Sequence, residues 1–154
     1  MHEEPLATIL LVEDEESDVA LMRRAFEKAG VLNPIVHLAN GDYALAYLAG
    51  EGDYADRTKS PLPALILLDL KLPGMTGLQL LQWMRTRSAV KRIPVVVLTT
   101  SRDTKTINAA YDCGANSYLL KPGDSSDIVE IVSAIRNYWM KLNEAPKLVM
   151  RAER

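Results

Sequence analysis

Five short apolar runs recur along this chain, and each is followed by a stretch in which apolar residues fall at helical spacing. That alternation leaves few folds open. Ala7–Val12, Ile35–Leu38, Ala64–Leu68, Ile93–Leu98 and Ser117–Leu120 are each of strand length. Ala64–Leu68 is wholly apolar and Ile93–Leu98 is rich in β-branched residues, as strands covered on both faces should be. Ser17–Ala29 puts Val19, Met22, Phe26 and Ala29 on one helical face, and Gly30 supplies a stop. Asp42–Ala49 reads as a helix broken by Gly50, Thr76 as the cap of a helix running to about Arg87, and Asp103–Cys113 as a helix ended by Gly114. The clearest helix is Asp127–Lys141, where Ile128, Ile131, Val132, Ile135 and Trp139 share a face. Five βα units in series predict an α/β fold, a doubly wound parallel sheet with right-handed crossovers and strand order 2-1-3-4-5. Such sheets bind ligands outside the carboxyl ends of their strands.

Those ends carry polar groups. The first strand stops at Glu13-Asp14, the third at Asp69, the fourth at Thr99 and the fifth at Lys121-Pro122. Any one of these residues alone would read as a loop cap, a surface lysine or a strand-end hydroxyl. Four strands delivering such groups to one rim is a stronger signal. Three carboxylates brought together repel, so they need a cation or a proton. Oxygen ligands without His or Cys favour a hard ion such as Mg2+, which keeps several waters and needs few carboxylates. One carboxylate is then left to act as a nucleophile, and an Asp can form an acyl phosphate. A cation, an ammonium and a hydroxyl would meet the charge that phosphoryl transfer spreads over three oxygens.

Leu11-Val12-Glu13-Asp14, Leu68-Asp69-Leu70-Lys71-Leu72-Pro73-Gly74-Met75, Val97-Leu98-Thr99 and Tyr118-Leu119-Leu120-Lys121-Pro122 resemble the motifs of response-regulator receiver domains of two-component systems. The resemblance covers about Ala7–Tyr138 and implies a flavodoxin-like (βα)5 fold. It implies Asp69 as phosphoacceptor, Asp14 and Asp69 as direct Mg2+ ligands, Glu13 as a ligand through water and the Lys71 backbone carbonyl as a further one. Lys121 would bind the phosphoryl group, and Thr99 and Tyr118 would form the switch pair. It further implies a cis Lys121–Pro122 bond. Gly123 departs from the pattern, since receivers usually carry a bulky apolar residue there, and the loop is expected to be looser for it. The longer segment Gly50–Pro63 reads as a solvated loop; with Tyr43–Asp56 it resembles stand-alone regulators paired with bacterial and cyanobacterial phytochromes. A sensor histidine kinase, of phytochrome type, is therefore the expected partner, docking on Ser17–Lys28.

The 154 residues fit one domain, expected over 1–142 with its core at about 7–140, followed by a tail, 143–154, too short for an output domain. A net charge of −2 offers no basic footprint for nucleic acid, and no apolar run reaches membrane-span length. The acidic start Met1–Pro5 lacks the pattern of a secretion signal, and the lone Cys113 excludes an internal disulfide, so a cytoplasmic location is expected. His37 reads as structural and Cys113 as a small hydrophobe at a helix end. Two readings stand for Tyr118, a switch residue or a half-buried edge-strand ring. Two stand for Trp139, which with Met140, Leu142, Leu148, Val149 and Met150 either forms a homodimer surface in the C-terminal half or packs on its own sheet. The function expected is a phosphoacceptor signalling switch, not an enzyme. A phosphatase of the haloacid dehalogenase type would need a second Asp where Lys71 stands, a phosphorylation-independent pseudo-receiver would not need the full set, and a flavin or nucleotide carrier would need a glycine-rich phosphate loop.

Overall fold

The computed structural model describes residues 6–123 and 125–148. Five parallel strands form one sheet in the order β2-β1-β3-β4-β5, with β1 Ile9–Val12, β2 Ile35–Leu38, β3 Leu65–Leu68, β4 Val95–Thr99 and β5 Ser117–Leu120. Both the fold class and the strand order predicted above are observed. The register aligns Ile9 with Ile35 and Leu65, and Leu68 with Val97, so the strand ends lie level along one edge.

Period-two alternation sorts the strand side chains into two cores. Leu10, Val12, Ile66, Leu68, Val95 and Val97 face one side, where they meet helices α2 (Gly41–Ala49), α3 (Gly77–Arg85) and α4 (Thr104–Asp112). Ile9, Leu11, Leu65, Leu67, Val96 and Leu98 face the other side, where they meet α1 (Glu16–Lys28) and α5 (Ser125–Ile135). β1 and β3 are buried at every residue because helices cover both faces. Right-handed crossovers turn in opposite directions from β1, which puts α1 and α5 together and opens a crevice at the carboxyl end of β1 and β3.

Several expected boundaries shift for local reasons. β1 begins at Ile9 rather than Ala7, and the Thr8 carbonyl accepts from Ala64 N just before β3. β4 begins at Val95, since Pro94 has no N–H to give to a ladder, and it extends to Thr99. α3 ends at Arg85, where the Thr86 hydroxyl donates to the Trp83 carbonyl at 2.7 Å. The last helix widens over Arg136–Leu142 into a π-helical stretch, closed by Asn143 N donating to the Tyr138 carbonyl. Trp139 packs into the α1–α5 core with its ring edge against Tyr138, which is the own-sheet reading of that residue. Leu148 packs on the opposite core, while Tyr138 and Leu142 stay exposed. Val149 and Met150 lie outside the described residues, as does Met1–Pro5.

The segment from Gly50 to Pro63 is exposed over most of Glu51–Lys59, as expected of its composition, but it is also pinned to the end of α2. The Arg57 guanidinium donates to the Tyr47 and Leu48 carbonyls, both at 2.8 Å, and to the Ser60 carbonyl at 3.0 Å. Tyr47 and Leu48 lie in the last turn of α2, where helix carbonyls run short of intrahelical donors; the Tyr47 carbonyl also accepts from Gly50 N at 3.2 Å. The Tyr47 hydroxyl in turn donates to the Pro61 carbonyl, and Ser60 is buried. Glycine, proline and charge counted as solvent signals here, but the arginine is used internally.

Candidate functional site

Each polar strand end is positioned by the sheet. Glu13, at the end of β1, is buried; its carboxylate accepts from Glu15 N at 3.1 Å, and its backbone carbonyl accepts from His37 Nε2 at 2.7 Å. A carbonyl cannot donate, so Nε2 of His37 is the donor in this contact. Asp69 follows β3, hydrogen-bonded through its amide to the Val12 carbonyl. Its Oδ1 accepts from Lys71 N at 3.2 Å, which ties the backbone around Lys71 to the carboxylate. The chain then turns sharply through Gly74, whose φ of +70° suits glycine, into α3. Gly77 brings that helix so close that a Cβ would stand 2.6 Å from the Asp69 carbonyl oxygen. α3 opens with a reciprocal capping box between Thr76 and Gln79.

Glu13, Asp14 and Asp69 each offer an oxygen within 4.8 Å of the others, with Asp14 exposed and the other two buried. Lys121 reaches in from the end of β5. Its ammonium contacts Glu13, lies 2.9 Å from Asp69 Oδ2, and lies 2.9 Å from Asp18 Oδ2. Burial raises the Glu13 carboxyl, and the Asp69 charge adds to this, so that it is pushed up to about 7 despite the opposing pull of Lys121. Burial by itself would lower the Lys121 ammonium, but its three carboxylate partners outweigh burial and hold it above its ordinary value. Three carboxylates on one ammonium, with Asp14 close to two of them, leave unbalanced negative charge. An oxygen-only donor set of this kind suits a divalent cation.

Thr99 is fully buried at the end of β4, and its hydroxyl has no hydrogen-bond partner among the described residues. Such a group costs free energy unless something else satisfies it. Tyr118 is half-buried on β5, beside Val97, and its hydroxyl donates to the Ser101 carbonyl at 2.8 Å in the loop after β4. That bond ties the ring to the loop that Thr99 opens.

Glu13, Asp14, Asp69 and Lys121 thus come together, with Lys71 tied in by its backbone. One expectation needs correction. No peptide bond among the described residues is cis, so Lys121–Pro122 is trans. The trans form is the one an isolated X–Pro bond prefers, by about 0.5–1 kcal/mol. From it Lys121 still spans the site, its amide donating to the Thr99 carbonyl at 2.8 Å. Asp18 was not among the sequence candidates. Its one signal was an acid in the first turn of α1, which reads equally well as favourable charge at a helix N-terminus. Beside Asp18 and Lys121 a cleft of about 250 Å³ opens between α1 and α5, floored by Leu98, Met22 and Ile128.

The comparisons with known proteins agree with this geometry. Response regulator Rcp1 of Synechocystis sp. (strain ATCC 27184 / PCC 6803 / Kazusa) is 36% identical over 92% of this chain and 95% of that protein. The probable methanogenesis regulatory protein FilR2 of Methanothrix harundinacea (strain 6Ac) is 40% identical over 90% of this chain and 86% of that protein. The phosphorylated cyanobacterial phytochrome response regulator RcpA superposes with a TM-score of 0.86 at 37% identity, covering 92% of this chain and 99% of that one. The Mn2+-bound form of Rcp1 superposes with a TM-score of 0.82 at 35% identity, covering 92% and 99%. The model of the response regulator receiver domain matches residues 9–133, from the first residue of β1 into α5, and the chain belongs to that family.

Proposed function

We propose that this receiver domain accepts a phosphoryl group on Asp69 from the phosphohistidine of a sensor histidine kinase and thereby switches a protein-interaction surface. The observation that carries this reading is the convergence of Glu13, Asp14 and Asp69 around the Lys121 ammonium at the strand ends. Asp14 and Asp69 would hold Mg2+ directly, Glu13 through water, and the Lys71 carbonyl would complete the protein ligands. Mg2+ bound there would neutralise the carboxylates and draw charge from the phosphoryl oxygens.

An Asp69 carboxylate oxygen attacks phosphorus. The new O–P bond forms as the N–P bond to imidazole breaks, and the imidazole takes up a proton. Lys121 and Thr99 then meet the phosphoryl oxygens, which bring a charge of about −1.5 to −2. The Thr99 hydroxyl has no competing partner among the described residues to give up. Its movement would shift the loop carrying Ser101 and release Tyr118 to turn inward, changing the face of α4 and β5. The phosphoryl group biases a two-state equilibrium to the extent that it contacts one state better. Transfer and loss of its own phosphoryl group are the chemistry proposed, without turnover of other substrates.

A kinase of phytochrome type is supported by the likeness to Rcp1 and RcpA, and its docking on α1 by the apolar cleft beside Lys121. Exposed Tyr138 and Leu142 support a homodimer through the C-terminal half, which sedimentation at rising concentration tests. No described helix is long and apolar enough to cross a membrane; a cytoplasmic location and the absence of direct nucleic-acid contact are part of the same proposal. The primary test is intact mass after incubation with acetyl phosphate and Mg2+. A gain of one phosphoryl group in the parent, lost in Asp69→Ala and without Mg2+, is expected. A gain that persists in Asp69→Ala would overturn the assignment.

A further inference from the structure

We propose that Asp18 is a positioning residue for phosphoryl transfer, the anchor that keeps the Lys121 ammonium on station once its other carboxylates are engaged. The proposal rests on the reading of Asp69 as phosphoacceptor. Lys121 has three N–H donors and meets three carboxylates, those of Glu13, Asp69 and Asp18. Glu13 and Asp69 belong to the group of oxygens close enough to share a cation, whereas Asp18 does not. A cation drawn to that group competes with the ammonium for Glu13 and Asp69, and a phosphoryl group changes Asp69 itself. The Asp18 contact is the one of the three that neither event removes.

Asp18 is also built to hold still. It lies in the first turn of α1, next to Val19, and both Val19 and Met22 are buried against α5 and the sheet. Its side chain is 35% exposed, against 3% for Glu13 and 8% for Asp69, so it sits at the mouth of the site. A lysine side chain is a flexible stem carrying a point charge, and a second residue must restrain it for the charge to be aimed. Asp18 reaches the phosphoryl group through Lys121, not by contact of its own.

The alternative is that Asp18 merely damps the lysine's charge, in which case removing it strengthens phosphoryl binding. Titration calorimetry with beryllofluoride and Mg2+, and with Mg2+ alone, separates the two for the parent, Asp18→Ala and Asp18→Asn. Circular dichroism checks that each is folded. Loss of a charge-assisted anchor predicts beryllofluoride affinity lowered about tenfold in Asp18→Ala. Asp18→Asn keeps an acceptor oxygen without the charge and should fall about threefold, because neutral bonds are roughly half as strong. Mg2+ affinity should fall less than beryllofluoride affinity in both, a split that a general loss of structure does not produce. Affinity equal to or above the parent's in Asp18→Ala, or in Asp18→Asn should the alanine variant not fold, overturns the proposal. A parent that does not bind beryllofluoride defeats the phosphoacceptor reading and the inference with it, whereas a parent that binds and variants that bind equally well defeat the inference alone.

Discussion

Lys121 and Asp69 are paired, Nζ 2.9 Å from Oδ2, although they stand just past the ends of β5 and β3 with β4 between them. The lysine spans a strand to do so and is 13% exposed at its side chain. Its ammonium is the positive charge that faces the buried Glu13 and Asp69 carboxylates, which has a consequence for stability.

Replacing Lys121 by Met should destabilise the metal-free protein strongly, because it leaves Glu13 and Asp69 buried, close together and unpaired. Breaking a buried pair on one side costs roughly 3–5 kcal/mol, and the exposure of Asp18 puts this case at the lower end, about 3 kcal/mol. Millimolar Mg2+ should recover a large part of the deficit, since the ion takes over the neutralising role. Urea denaturation with and without Mg2+ checks this. A loss that Mg2+ leaves untouched would mean that the carboxylates do not share a cation.

A second prediction concerns pH. The Glu13 carboxyl is raised from 4.5 to about 7 in the folded protein, by burial first and by the Asp69 charge as well. The folded state therefore holds this proton more tightly than the unfolded state. The stability this gives is fully present below about 4.5 and is lost as pH rises through about 7. A divalent cation prefers the ionised carboxylate, so metal affinity should run the opposite way, rising from pH 5.5 to 8. Thermal unfolding midpoints with and without Mg2+ should diverge across that window. Glu13→Gln should flatten the divergence; a slope retained in that variant would assign the titration to another group.

Much of this is legible in the amino-acid sequence. The wholly apolar run at Ala64–Leu68 and the acids and lysine just past three apolar runs sufficed for the sheet, its order and the assembly of Glu13, Asp14, Asp69 and Lys121. Alternation and strand ends are properties of local sequence, and parallel topology levels the ends. Asp18 was not legible, because its partner lies 103 residues away and nothing local separates an acid favoured by a helix N-terminus from one aimed at a lysine. Arg57 was missed for the same reason: whether an arginine points to solvent or to a helix end depends on how the chain folds back. Trp139 was undecided because helical spacing marks an apolar face without saying what covers it.

Arg57→Ala should uncouple that loop from α2 without touching the site. Three hydrogen bonds to backbone carbonyls and a contact over the Tyr47 ring are lost together. The cost should be about 2 kcal/mol, in the range for unsatisfied, partly buried carbonyls. Limited trypsin digestion should show faster cleavage at Lys59, and acetyl phosphate labelling of Asp69 should proceed at the parent's rate. Unchanged proteolysis would mean that the segment is held by Tyr47 and Ser60 instead.

Thr99 gives the sharpest separation between stability and switching. Its hydroxyl is buried and unpartnered among the described residues, so in the resting state it is a cost, and Thr99→Val replaces it with a methyl group of similar shape. Removing an unsatisfied buried hydroxyl should raise resting stability by about 1 kcal/mol. The same substitution removes a donor that a phosphoryl oxygen would need, so the gain in melting temperature that beryllofluoride and Mg2+ give the parent should be smaller in the variant. Opposite signs in the two measurements are the signature of a group kept for its phosphorylated state. A variant that is destabilised at rest and equally stabilised by beryllofluoride would instead make Thr99 an ordinary packing residue.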